Sequence, residues 1–306
     1  MRAMASESER VIEISHLRKQ FKKLVAVADL SLTVHRGDVF GFLGPNGAGK
    51  STTIRILLDL IRPSRGEVKL FGLPLRSNRV SILSRVGALV EKPDFYGYLS
   101  ARQNLQLFGK MLGNTTNKQI DAVLETVRLR DRADDHFKSF SHGMKQRLGI
   151  AQTLLGNPEL IILDEPTAGL DPEGMKEVRD LIIELAQKNI TIFLSSHLLH
   201  EIEQVCNRMA IINKGTLIVE GFVQELLRQG PMVLIVEVDQ PAVAAPKIAG
   251  LNFVQRVTTD SRYLKVELQY QDIPRLNQFL LLENLQVFRL QPQTSLEDYY
   301  LSLVQG

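Results

Sequence analysis

The 306-residue sequence contains a single cysteine, Cys206. One thiol can close no internal disulfide and build no cysteine zinc cluster. This excludes a disulfide-stapled scaffold and a zinc-module nucleic-acid binder, and it fits a reducing compartment. The setting Val205-Cys206-Asn207 reads as helical, so the thiol is expected to be a small core residue. No stretch approaches the ~18–20 uninterrupted apolar residues that a membrane helix needs. The opening Met-Arg-Ala-Met-Ala-Ser-Glu-Ser-Glu-Arg has no apolar run and reads as no secretory signal. The chain is therefore expected in the cytoplasm, reaching a membrane only through another protein. No sign of charge dominates: 37 basic residues face 34 acidic ones, and no block of like charge stands out. Nothing in that balance calls for nucleic acid. Internal repeats and low-complexity segments are also lacking.

What is present is a globular composition, 44% hydrophobic, in a chain longer than one ordinary domain. Three divisions are expected: a polar segment 1–10, a large domain 11–230 and a smaller domain 231–306. In the large one, Val39–Leu43, Leu160–Leu163 and Thr191–Leu194 are apolar on both faces and read as buried parallel strands. Helical periods such as 54–60 and 178–186 follow them. Strand, loop and helix in repetition predict an α/β core with a parallel sheet.

Past Gln229-Gly230-Pro231 the pattern changes. Residues 233–238, 253–257, 263–268 and 287–290 read as strands, 242–248 and 272–282 as helices, and 295–303 as a last helix. The order βαββαβ predicts a small α+β unit of the ferredoxin-like kind.

Gly44-Pro45-Asn46-Gly47-Ala48-Gly49-Lys50-Ser51 fits G-x-x-x-x-G-K-[ST], with an apolar strand before it and a helical period after it. Glycines let the backbone curl so that several N–H groups point inward, and the following helix turns its positive dipole end toward an anion. Lys50 adds a full charge for β- and γ-phosphates. Ser51 offers a hydroxyl to Mg²⁺, and Thr52 follows it on the helix. A second apolar strand ends in Asp164-Glu165. Ligands of parallel α/β sheets sit beyond the carboxyl ends of the strands. Asp164 suits Mg²⁺ coordination there, and Glu165 suits the general base for an attacking water.

Three further motifs lie in order. They are Phe140-Ser-His-Gly-Met-Lys-Gln-Arg147, Ala168-Gly-Leu-Asp171 and Ser195-Ser-His197. With the two above, the chain from about Val11 to Gly221 resembles the ABC ATPases. These three look like that family's signature, D-loop and switch histidine. The resemblance implies an ATPase with ATP and Mg²⁺ as cofactors, working as a dimer, most simply a homodimer. Ser141 and Gly143 would face ATP held by a second subunit. Asp171 would add a contact across the dimer, and His197 would touch the γ-phosphate. Phe21 sits where the family places an adenine-stacking aromatic. Ser141 and Asp171 also suit helix N-caps, the latter before Pro172.

Two departures stand out. The signature carries His142 and Met144 where the family has glycine and glutamine. Glu91, in Val86-Gly-Ala-Leu-Val-Glu91, replaces a usual glutamine that links Mg²⁺ and water to the membrane-subunit contact. Glutamate there, and Phe95-Tyr-Gly-Tyr-Leu-Ser-Ala-Arg-Gln-Asn104, resemble the subfamily of bacitracin-resistance and lantibiotic-immunity exporters. The implied machine is a peripheral cytoplasmic ATPase driving a separate transmembrane permease, with Glu91 a catalytic and metal-site candidate. The alternative is an ABC ATPase of the ribosome or DNA. Such proteins resemble this chain less: one cassette is present, and the roughly ninety residues 52–140 lack sustained heptads. Gln293-Thr-Ser-Leu-Glu-Asp-Tyr-Tyr300 resembles the tail of exporter-type ATPases, and suggests a dimerisation or regulatory role for 231–306.

Overall fold

Apolar residues on both faces of a short run need cover on both faces, which only the middle of a helix-flanked parallel sheet supplies. In the computed structural model, which describes residues 9–113, 115–229, 232–260 and 263–294, those runs lie there. The elements up to the first cassette helices are β1 (Arg10–Phe21), β2 (Leu24–His35), β3 (Val39–Leu43), α1 (Lys50–Leu57), β4 (Arg65–Leu70), β5 (Leu73–Pro74), α2 (Arg79–Leu83) and β6 (Val86–Leu89). Then follow α3 (Ala101–Met111), α4 (Asn117–Thr126), α5 (His142–Leu154), β7 (Leu160–Asp164), α6 (Pro172–Gln187), β8 (Thr191–Ser196), α7 (Leu199–Val205), β9 (Arg208–Asn213) and β10 (Thr216–Phe222). Contacts divide the chain into two compact units, residues 1–221 and 222–306.

The first unit carries a ten-stranded sheet in the order β5-β4-β1-β2-β10-β9-β3-β8-β7-β6. Strands β3, β8, β7 and β6 pair in parallel. Every residue of β3, β7 and β8 is buried. Strands β1, β2, β4 and β5 pair antiparallel. This antiparallel flank was not anticipated. Both β1 and β2 run for 12 residues, and several register shifts break their two-residue alternation.

The parallel register fixes the functional edge. Asp164 pairs with Ser195, and Leu43 with Ser196. The carboxyl ends of β3, β8 and β7 therefore finish level, where such sheets bind ligands. Cys206 is buried at the end of α7, and burial pushes its thiol above the ordinary range.

The opposite edge is held by charge. Glu159, just before β7, accepts from Arg85 Nε at 2.5 Å and from Arg36 at 2.9 Å. Arg85, ahead of Arg36, brings the Glu159 carboxyl down from 4.5 to about 2. A carboxylate lowered on folding stabilises above its unfolded value, and that contribution is lost as pH falls through the folded one. Glu159→Gln is thus expected to weaken the fold at neutral pH by less than about 1 kcal/mol, since the group is partly solvated. The difference from the parent should shrink between pH 4.5 and 2. Urea unfolding at stepped pH checks this.

The second unit comprises α8 (Val223–Gln229), β11 (Met232–Val238), α9 (Pro241–Ala249), β12 (Val254–Asp260), β13 (Tyr263–Leu268), α10 (Ile273–Leu282) and β14 (Val287–Thr294). Its sheet runs β12-β13-β11-β14, with antiparallel neighbours throughout. This is the ferredoxin-like arrangement that βαββαβ predicts. Its core comprises Leu234, Val236, Ile248, Leu264, Val266, Leu276 and Leu280, among others. The helix expected at 295–303 lies outside the described residues.

Candidate functional site

Between β3 and α1 the chain makes a loop whose shape depends on glycine. Gly47 has φ +81° and Gly49 φ +109°, both in the left-handed region. A Cβ on Gly49 would meet the Ala26 carbonyl oxygen at 2.6 Å, so no side chain fits there. Gly49 is the N-cap of α1, whose first-turn N–H groups have no partner inside the helix. They face the loop as anion-binding donors. The ammonium of Lys50 is buried and donates to Gly44 O at 2.7 Å, with Pro45 O at 3.4 Å. It also lies 3.2 Å from Glu165 Oε1. Ser51 and Thr52 are half-buried on the first turn of α1.

The same Glu165 meets a second partner. Its Oε2 lies 2.9 Å from His197 Nδ1. Glu165 thus sits between the lysine that opens α1 and the histidine that follows β8. Its backbone is unusual, with φ +47°, a sparsely populated region for a residue with a Cβ. One hydroxyl holds it there. Ser195 Oγ accepts from the Glu165 N–H at 2.9 Å and donates to Asp164 Oδ1 at 2.6 Å. Ser195 is fully buried. In the sequence Ser195 stands in a motif with no mark of this task, which only the Asp164–Ser195 register reveals.

The signature and D-loop form a second cluster. Ser141 caps α5 by accepting from the Met144 N–H at 3.2 Å, and Asp171 caps α6 by accepting from the Gly174 N–H at 3.0 Å. The two helix starts approach closely: a Cβ on Gly143 would lie 3.4 Å from Gly174 Cα. Arg147 anchors α5, donating to Val127 O and Arg128 O at 2.9 and 3.0 Å and pairing with Glu177 at 3.4 Å. No hydrogen bond or ion pair among the described residues joins Ser141, Gly143 or Asp171 to the Gly44–Ser51 loop.

The remaining candidates stand apart. Phe21 is exposed at the end of β1, with Lys19 Nζ 4.6 Å from its ring centroid. Glu91 is exposed, at φ +66°, and its Oε1 pairs with Arg55 of α1. No described contact joins Glu91 to Asp164, Glu165 or Lys50. Arg55 was not anticipated, since nothing in a helical period marks it as a partner for a residue 36 positions on.

A glycine loop opening a helix, a buried lysine in it and an acidic strand end beside it define a P-loop NTPase fold and site. Comparison with known proteins narrows the class. The ABC transporter family profile matches residues 27–168. The bacitracin transport ATP-binding protein BcrA of Bacillus licheniformis is 40% identical over 299 residues, 97% of this chain and 98% of that one. An uncharacterized ABC transporter ATP-binding protein of Bacillus subtilis, YhcH, is 37% identical over 96% of this chain and 95% of its own length. Among solved structures, cbiO1 from Clostridium perfringens, part of the ABC transporter complex cbiONQ, superposes with a TM-score of 0.67 at 26% identity. It covers 72% of this chain and 92% of its own. The chain belongs to the ABC transporter family as an ATP-binding, ATP-hydrolysing subunit. Subunits of this kind dimerise and work with transmembrane permease partners. No helix among the described residues is long and apolar enough to cross a membrane.

Proposed function

We propose that the chain powers export of an antimicrobial peptide or drug, from the cytoplasmic face of a membrane, through a separate permease. The observation that carries the hydrolytic part is Glu165, held between Lys50 and His197 at the level ends of β3, β7 and β8. ATP phosphates would be cradled by residues 44–52, with Lys50 exchanging its Glu165 contact for them. Phe21, already an exposed ring beneath a cation, would stack on adenine. Freed from the lysine, Glu165 takes a proton from the attacking water, and His197 steadies the water and the departing γ-phosphate.

Among the described residues no group of three or more His, Cys, Asp or Glu forms a metal site. Magnesium needs none: one carboxylate, one hydroxyl and substrate phosphates suffice. Asp164, fixed through one oxygen by Ser195, and Ser51 on the first turn of α1 fit that donor set. Mg²⁺ held there would neutralise charge on the phosphates. Glu91 would join that set only after leaving Arg55.

Among the described residues no hydrogen bond or ion pair ties Ser141, Gly143 or Asp171 to the nucleotide loop of their own chain. In this reading they complete the site of a second copy, so ATP holds the dimer together. The permease would dock near Glu91 and the Phe95–Leu99 segment. One side chain of α3 fastens that segment. Asn104 accepts from the Tyr96 N–H at 3.0 Å and donates to Ser100 O at 2.9 Å, leaving Tyr96 and Tyr98 exposed with rings 5.8 Å apart. Exposed aromatics on a fixed loop are good interface anchors. The 231–306 region would tune dimerisation or basal turnover. Full-length relatives named for bacitracin transport support the peptide assignment.

Purification from membranes tests this reading. The chain should bring an integral membrane protein with it, and Tyr96→Ala with Tyr98→Ala should lose that partner while keeping ATPase activity. Recovery of the chain with ribosomes or DNA, and no membrane partner, would refute it.

A further inference from the structure

One buried carboxylate is left over by this chemistry. Glu201, on α7, is 6% exposed. Its Oε2 accepts from Thr167 Oγ1 at 2.6 Å and from Ser196 Oγ at 3.1 Å. Both donors are themselves buried. Its other oxygen, Oε1, has no hydrogen-bond partner, and no cation among the described residues pairs with the group. Folding alone does not account for such a residue. A polar side chain in the interior costs stability unless its atoms are hydrogen-bonded, and one oxygen of this one is not.

The two hydroxyls explain the placement. Thr167 stands two residues after Glu165, and its carbonyl closes the D-loop turn by accepting from the Leu170 N–H at 3.2 Å. Ser196 immediately precedes His197, and its Oγ also accepts from the Leu198 N–H at 2.9 Å, fixing the chain on the far side of the histidine. The Ser196 carbonyl lies 3.4 Å from the amide of Gly44, at the base of the nucleotide loop. One carboxylate thus bolts together the loop leading to Asp171 and the loop carrying His197. Residues 167 and 196 lie on different strand exits, and no other hydrogen bond among the described residues joins them.

We propose that Glu201 is a positioning residue for hydrolysis, coupling the D-loop to the switch histidine so that the two loops hold one geometry around Glu165. It touches no substrate. Its effect reaches the chemistry through Thr167 and Ser196, where small displacements of the Glu165–His197 pair carry large rate penalties. The inference rests on the hydrolytic role given above to Glu165 and His197.

The test is steady-state ATPase and ATP binding by the purified full-length chain carrying Glu201→Ala, Glu201→Gln, Thr167→Val, Ser196→Ala or these in combination. Glu201→Ala should lower kcat on the order of 10²-fold, with KM for ATP within about twofold. Glu201→Gln keeps an oxygen for both hydroxyls and should recover most of that loss. Thr167→Val and Ser196→Ala should each lower kcat, and neither should cost more once residue 201 is alanine. Should Glu201→Ala fail to fold, Thr167→Val and Ser196→Ala in the parent chain carry the comparison, since the pair combined should cost no more than the larger single loss. A kcat per folded subunit that stays at the parent value, a rise in KM alone, or fully additive losses would overturn the coupling. Glu165→Gln runs alongside. If it abolishes turnover while residue 201 changes nothing, the coupling fails and the hydrolytic reading stands. If Glu165→Gln turns over normally, it is the hydrolytic reading that fails.

Discussion

Replacing Glu165 by glutamine is expected to lower ATP turnover about 10³-fold, the range of a lost general base, while leaving ATP binding intact. Glutamine keeps the volume and a hydrogen bond toward His197 but cannot take a proton. It also removes the negative charge 3.2 Å from Lys50 Nζ, a charge with which incoming phosphates must compete. Affinity for ATP should therefore hold or rise. Slow hydrolysis with tight binding should leave two subunits locked around nucleotide. Size-exclusion chromatography with ATP should show a dimer for the variant and a mixture for the parent. A variant that stays monomeric with ATP, or that hydrolyses at the parent rate, contradicts this role.

Lys50→Ala should fail earlier, at binding. The buried ammonium is the only full positive charge that the nucleotide loop itself supplies, and charge-assisted hydrogen bonds to phosphate are the strong ones. Losing them should weaken ATP binding by about 100-fold, or about 2.7 kcal/mol. The loop should keep its shape, because Gly47 and Gly49 set it through backbone conformation. Glu165 also loses its lysine partner and stays beside His197. The variant should thus fold, bind ATP weakly and show no ATP-dependent dimer. Calorimetric titration with a non-hydrolysed ATP analogue measures the affinity, and parent-like affinity would count against the loop as the phosphate cradle.

How much of this was written in the sequence differs from residue to residue. The α/β core was legible because β3, β7 and β8 are apolar on both faces, a pattern that has few homes. The ferredoxin-like unit was legible because strand-like and helical periods follow one another in the order βαββαβ, with helices starting at Pro241 and just after Asp272. The antiparallel flank was not, since bulges in β1 and β2 blur the period that would have announced it. In the site, the nucleotide loop and the acidic strand end carry local spacing and could be read directly. Ser195 reaches Asp164 across 31 positions, Glu201 reaches Thr167 across 34 and Arg55 reaches Glu91 across 36, and spacing along the chain does not encode such pairs. Glu91 is the instructive case. The resemblance pointed it to the metal, and the folded chain adds a partner, Arg55, that spacing along the chain does not encode.

The central claim is that the signature of one chain completes the nucleotide site of another. Mixing two inactive variants tests it most directly. Lys50→Ala spoils the loop, and Ser141→Arg spoils the signature by placing a bulky cation at the start of α5. In a mixed dimer the intact loop of one chain meets the intact signature of the other, so one complete site is rebuilt. The trans arrangement predicts that ATPase activity, absent from each variant alone, returns on mixing. No activity from a verified mixed dimer, or full activity from Ser141→Arg alone, would contradict it.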